Sequence, residues 1–185
     1  TISMLAGPMV IRKLTAYKIG QSVRDDGPKT HLTKAGTPTM GGALILVAMT
    51  TGTLLWANLG NRFVWISVGV TLAFGLIGFY DDYLKLVVQN PKGLAARWKY
   101  LWQSVAGLGA ALYLYLAFDT PVTTELYIPF FKDFAWAMGP LFVLLAYFVI
   151  VGASNAVNLT DGLDGLAILP TVMVATALGI IAYLT

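Results

Sequence analysis

Eleven residues towards the C-terminal end constrain this chain more than any other stretch. Asn155-Ala156-Val157-Asn158-Leu159-Thr160-Asp161-Gly162-Leu163-Asp164-Gly165 brings together two amides, two carboxylates and two glycines, with apolar runs over 139–152 before it and 166–185 after it. A soluble loop has no reason to be flanked in this way. Ionisable groups at membrane depth are costly unless compensated, and they point to function. Composition carries the same message. The chain is 57% hydrophobic and 11% charged, with a mean hydropathy of +0.73, whereas soluble domains carry about 25% charged residues. The expected fold is therefore all-α and polytopic in a membrane. The absence of cysteine excludes disulfides and thiolate chemistry, and a net charge of +3 is too small to argue for nucleic acid.

A spanning helix needs about 20 mostly apolar residues. Residues 1–11 read as the end of a first helix interrupted by Gly7 and Pro8, and about five spans follow: 42–59, 63–80, 100–118, 134–153 and one from 166. Pro170 is expected to kink the last helix or to sit in its first turn. The segment 122–128 alternates well enough for a short hairpin strand. Starting without Met and ending without a polar tail, the chain reads as a piece of a longer one.

Basic residues set the orientation. Arg12, Lys13, Lys18, Arg24, Lys29, Lys34, Lys85, Lys92, Arg97 and Lys99 fall in two polar loops, and only Arg62 and Lys132 fall in the alternate ones. The positive-inside rule then makes 12–41, 81–99 and 154–165 cytoplasmic loops, and 58–62 and 119–133 periplasmic ones, all within a single transmembrane domain over 1–185. Three polar segments far apart in sequence are thus expected on one face.

Each segment carries candidate chemistry. In the first, Asp25-Asp26-Gly27-Pro28, His31, Lys34 and Gly36-Thr37-Pro38-Thr39-Met40-Gly41-Gly42 form a tight, basic loop before a helix. Backbone N–H groups at a helix start favour anions, so this suits a phosphate, although an ordinary basic loop would look similar. In the second, Asp81 and Asp82 sit at the C-terminal end of a helix, where the dipole disfavours carboxylates. Lys85 is within reach of either but cannot neutralise both. A divalent cation could, since magnesium uses one or two carboxylates plus substrate phosphates. In the third, Asp161 and Asp164 share a face if helical, Gly162 and Gly165 allow close approach of a ligand, and Asn155 and Asn158 supply donors and acceptors for a base or sugar. A solvated helix end and a polar linker would explain the last two segments separately. Four acids on one face ask for a bound cation or a cationic substrate.

These three blocks, in this order, resemble the bacterial phospho-N-acetylmuramoyl-pentapeptide transferases. Arg24 to Gly42, Gly78-Phe79-Tyr80-Asp81-Asp82-Tyr83-Leu84-Lys85 and Asn155 to Gly165 carry the resemblance. Aspartate pairs and an Asn/Asp-Gly block also occur in the wider superfamily of polyprenyl-phosphate sugar-1-phosphate transferases, and the Gly36 to Gly42 block points to the muramoyl branch. The resemblance implies a ten-helix enzyme of the bacterial inner membrane with its active site on the cytoplasmic face. It would move phospho-MurNAc-pentapeptide from UDP-MurNAc-pentapeptide to undecaprenyl phosphate, giving lipid I and UMP with Mg²⁺, the first membrane step of peptidoglycan synthesis. Asp81 and Asp82 match the essential aspartate pair, either of which could touch the metal. Lys34, Thr39, Asn158, Leu159, Asp161, Gly162 and Asp164 match positions that bind substrate. Membrane lipid, nucleoside-type inhibitors and a homodimer partner are further implied. The family's magnesium-binding aspartate and histidine-rich loop fall C-terminal to Thr185, so the chain resembles roughly the N-terminal half, and this half alone is expected to be inactive. The rival readings are a transferase for GlcNAc-1-phosphate and a non-catalytic membrane module.

Overall fold

The computed structural model describes residues 2–16, 41–88, 90, 93–117, 124–128, 134–160 and 166–184. Six helices run through them: α1 (Ile2–Ala16), α2 (Gly41–Trp56), α3 (Arg62–Leu86), α4 (Ala96–Ala117), α5 (Leu141–Thr160) and α6 (Ile168–Leu184). Between α4 and α5 lies one antiparallel hairpin of two three-residue strands, β1 (Glu125–Tyr127) and β2 (Ala135–Ala137). The protein is all-α, as its hydropathy predicts.

The chain forms two compact units, 1–106 and 107–185. In the first, α1 packs on α2 and α2 on α3. Small residues make these approaches, as is usual between helices in lipid. Gly7 of α1 faces Leu44, and Gly75 of α3 lies so close to Leu46 of α2 that a Cβ would collide with it. In the second unit, Gly107 does the same between α4 and α5, where a Cβ would meet Val151 Cγ2 at 2.8 Å.

Helix ends explain most departures from the sequence expectation. Pro8 does not stop α1, which continues through it to Ala16. Asn61 caps α3, its side chain accepting from Phe63 N at 2.9 Å, and the Trp65 indole donates to Leu59 O at 2.8 Å across the same turn. The helix α3 does not end at Tyr80 but carries Asp81, Asp82 and Lys85 on its last turns. The expected span 134–153 is shifted towards the C-terminus. Its first residues pair as β2 with the strand anticipated near 122–128, and α5 runs instead from Leu141 to Thr160. Asn155 and Asn158 are therefore helical residues rather than loop residues. Pro170 sits in the first turn of α6, where its missing N–H costs nothing.

The helices α3 and α5, of 25 and 20 residues, are long and apolar enough to cross a bilayer. A core helix of a soluble protein would be buried. These are not: Trp65, Leu76, Leu144, Phe148 and Val149 all lie at the surface, and the buried apolar side chains among the described residues are Ala111, Val151 and Ala167. So much exposed apolar surface belongs in lipid. The protein is a membrane protein.

Candidate functional site

The end of α3 is built around one carboxylate. Asp81 is buried, with 7% of its surface exposed. Its Oδ2 receives Lys85 Nζ at 2.7 Å, from one turn further along the same helix. Lys99 Nζ, from the first turn of α4, stands 3.9 Å from the same oxygen. Its Oδ1 accepts the backbone N–H of Leu94 at 2.8 Å. Both oxygens are thus engaged, from two helices and the connection between them.

That connection dictates the geometry. After α3 the backbone folds back, with Asn90 N donating to Leu84 O at 3.0 Å and Gly93 N to Asn90 O at 2.9 Å. Gly93 then takes φ +58°, a left-handed value that a side chain opposes. A Cβ there would also collide with Asp81 Oδ1 and with Lys85 Cε. Only glycine lets the chain pass against the carboxylate and turn Leu94 N–H onto it. The helix α4 follows at once, with Lys99 N bonded to Ala95 O at 3.1 Å. Starting at Ala96 rather than near Tyr100, it brings Lys99 into its first turn.

Asp82 is different. It is half-buried, and no hydrogen bond or ion pair reaches it among the described residues. Its neighbours Asp81 and Lys85 act on it only through space. The two adjacent aspartates are therefore unequal: both oxygens of Asp81 are engaged by protein donors, whereas no donor among the described residues engages Asp82. This decides how magnesium would fit. Asp81 already carries two ammonium groups, at 2.7 and 3.9 Å, and an amide on its other oxygen, which leaves it a poor ligand for a further cation. Asp82 has the donor set for one. Among the described residues no three His, Cys, Asp or Glu side chains converge, but magnesium held by one carboxylate and substrate phosphates needs no such cluster.

At the end of α5, Asn155 is half-buried and donates from Nδ2 to Val151 O at 2.8 Å. Thr160 Oγ1 donates to Ala156 O at 2.9 Å. Asn158 and Leu159 are exposed, Leu159 by 80%. Asn155 and Asn158, three apart on one helix, share a face. Lys34, Thr39, Asp161, Gly162 and Asp164 lie outside the described residues. Sequence reasoning missed Gly93, the Leu94 amide and Lys99. The available signals were a glycine two residues after Pro91, in a polar loop beside an acidic pair, and a lysine at the mouth of the next helix.

Two comparisons bear on identity. The profile of glycosyl transferase family 4 matches residues 64–185, which takes in α3 from its third residue, all of α4, α5 and α6, and both aspartates. Signature 1 of the phospho-N-acetylmuramoyl-pentapeptide transferases matches residues 34–46, which end on the first turns of α2. With well over half its length matched, the chain belongs to glycosyl transferase family 4, and its class of chemistry is transfer of a phosphosugar to a polyprenyl phosphate.

Proposed function

We propose that this member of glycosyl transferase family 4 takes part in transferring phospho-MurNAc-pentapeptide from UDP-MurNAc-pentapeptide to undecaprenyl phosphate, releasing UMP and giving lipid I. The match of signature 1 over 34–46 supports the muramoyl substrate. The unequal aspartate pair supports the assignment of roles.

In this reading the polar ends of α3 and α5 face the cytoplasm together, as the split of basic residues in the sequence suggests. The nucleophile is a lipid phosphate whose second pKa of about 6 leaves it mostly dianionic at neutral pH. A general base therefore matters less than charge neutralisation and placement, which dominate phosphoryl transfer. Asp81 does not reach substrate. Held by Lys85, Lys99 and Leu94 N–H, it fixes the end of α3 and sets the direction of the next residue. Asp82 is the carboxylate that meets the reacting phosphates. Magnesium, when bound, neutralises diphosphate charge, and Asp82 is the described residue that would hold it. Lys34 contributes a cation to the diphosphate. Thr39, Asn158, Leu159, Asp161, Gly162 and Asp164 bind the uridine and sugar portions.

The test is UMP release by the full-length protein in detergent with undecaprenyl phosphate and magnesium, offered UDP-MurNAc-pentapeptide or UDP-GlcNAc. The proposal expects turnover with the first donor and little with the second. The reverse preference would replace it with GlcNAc-1-phosphate transfer.

A further inference from the structure

The hairpin before α5 has two unlike faces. On β1, Glu125 and Tyr127 point the same way, since the Tyr127 hydroxyl donates to Glu125 Oε2 at 2.8 Å. Leu126, between them, points to the opposite face. Its cross-strand partner is Trp136, and directly opposed residues share a face. One residue beyond the strands, the same alternation adds Ile128 and Phe134. One face therefore presents Leu126, Ile128, Phe134 and Trp136. The other presents Glu125, Tyr127, Ala135 and Ala137.

Leu126 on the apolar face is half-buried, but its three companions are open among the described residues. Phe134 is 53% exposed, Trp136 49% and Ile128 39%. A lone two-stranded hairpin is marginal in water unless a hydrophobic face is covered. What covers this one follows from the chain. Only Met138, Gly139 and Pro140 separate β2 from the start of α5. Four residue steps reach at most roughly 14 Å. The link is tighter than that, because Met138 N is tied to Thr124 O at 3.1 Å and Leu141 N to Met138 O at 3.1 Å, with Gly139 at φ +52° making the turn. The hairpin is thus anchored at the mouth of a helix that crosses the bilayer. That helix opens directly on Leu141-Phe142-Val143-Leu144-Leu145, so its N-terminal end, and the hairpin tied to it, lie at the edge of the hydrocarbon. Aromatic side chains concentrate at that level of a membrane protein.

We infer that the hairpin lies along the bilayer surface at the N-terminal end of α5, with Leu126, Ile128, Phe134 and Trp136 in the headgroup and upper-chain region and the Glu125–Tyr127 face in water. It acts as an interfacial float that sets the depth of α5. The partner is the lipid itself. The inference does not depend on the reaction proposed above.

These residues include no cysteine, and any elsewhere in the full-length protein is first replaced by serine. Nitroxide labels on single cysteines in the full-length protein, at Ile128 and Phe134 on one face and at Ala135 and Ala137 on the other, are read in nanodiscs of phosphatidylethanolamine and phosphatidylglycerol. Labels on the apolar face should collide several-fold more with oxygen than with a nickel chelate, and labels at Ala135 and Ala137 should show the opposite ratio. Equal nickel access on both faces would mean a hairpin standing in water. Protection of the apolar face from both reagents would mean a protein cover. Either result overturns the inference. A second measurement leaves the hairpin intact: with Trp56, Trp65, Trp98, Trp102 and any tryptophan outside these residues replaced by Phe, Trp136 fluorescence should be quenched by lipids brominated near the headgroup end of the chain. Absence of quenching would contradict the proposal independently of any label.

Discussion

The ends of α3 and α5 face the same physical problem and meet it differently. Both are long apolar helices that finish on polar residues. At the end of α3 the polar groups are carboxylates, which the helix dipole opposes. The structure answers with Lys85 of the same helix and with Lys99 and a backbone amide from the next segment of chain, all on Asp81. At the end of α5 the polar groups are amides and a hydroxyl. Asn155 and Thr160 satisfy themselves on carbonyls one turn back, and Asn158 stands exposed. The charge at the end of α3 draws compensation from its own last turn and from the chain beyond it, whereas a neutral polar group can be left for a ligand. Asp82 breaks the pattern, because it is a charged group left open in the compensated region, and that is why it carries the reactive assignment.

The largest expected effect comes from removing that open charge. In the full-length enzyme, Asp82→Asn should lower the rate of UMP release by roughly 10²–10³-fold while thermal stability stays near that of the wild type. A variant with wild-type turnover would remove the distinction between the two aspartates.

Next come Asp161 and Asp164, to which the proposal assigns nucleotide binding. Asp161→Ala and Asp164→Ala should each weaken nucleotide binding about tenfold, or about 1.4 kcal/mol, measured by calorimetry. Unchanged affinity would leave the end of α5 as a plain connection between helices.

Gly93→Ala tests the lock itself. The left-handed conformation alone should cost about 1–2 kcal/mol, and the collision with Asp81 and Lys85 adds to it. The expected result is a lowered unfolding temperature, with Lys99→Met lowering it less because its ion pair is the longer one, at 3.9 Å against 2.7 Å. A Gly93→Ala protein as stable as the wild type would show that the turn is not needed to hold Asp81.

The smallest effect calibrates what one exposed hydrogen bond does without a lock. The bond to Glu125 raises the Tyr127 phenol above its usual range, aided by the charge of the carboxylate. The contact is present while the phenol is protonated and is lost as pH rises through that raised value. Glu125→Gln should move the Tyr127 titration back towards the ordinary value, followed by NMR of ring-labelled tyrosine. No movement would mean the pair is not formed in solution.

Much of this was legible in the sequence because it depends on local pattern. Apolar runs gave the helices, and the alternation near Glu125 gave one strand. The reach of Lys85 to Asp81 follows from helical spacing of four. What was not legible depends on contacts between distant positions. That Lys99 and Leu94 N–H both converge on Asp81 requires the left-handed turn at Gly93, and no periodicity announces it. The seven-residue displacement of α5 has a similar cause. Phe134 to Ala137 is apolar enough to continue a span, but it pairs with β1, and helix and strand cannot be told apart for so short a run. The hydropathy of 154–160 is low, yet Asn155, Asn158 and Thr160 extend the helix because their side chains bond along it or face outwards.

The account rests on the polar ends of α3 and α5 opening on the same side of the membrane. Tyr83 and Val157, both exposed and neither given a role in the reaction, can each carry a single cysteine once any cysteine elsewhere in the protein has been replaced by serine. Labelling by a membrane-impermeant maleimide in intact cells and in inverted vesicles then reads their sides. The account predicts that both react only from the cytoplasmic side. Reaction of one from each side would contradict it.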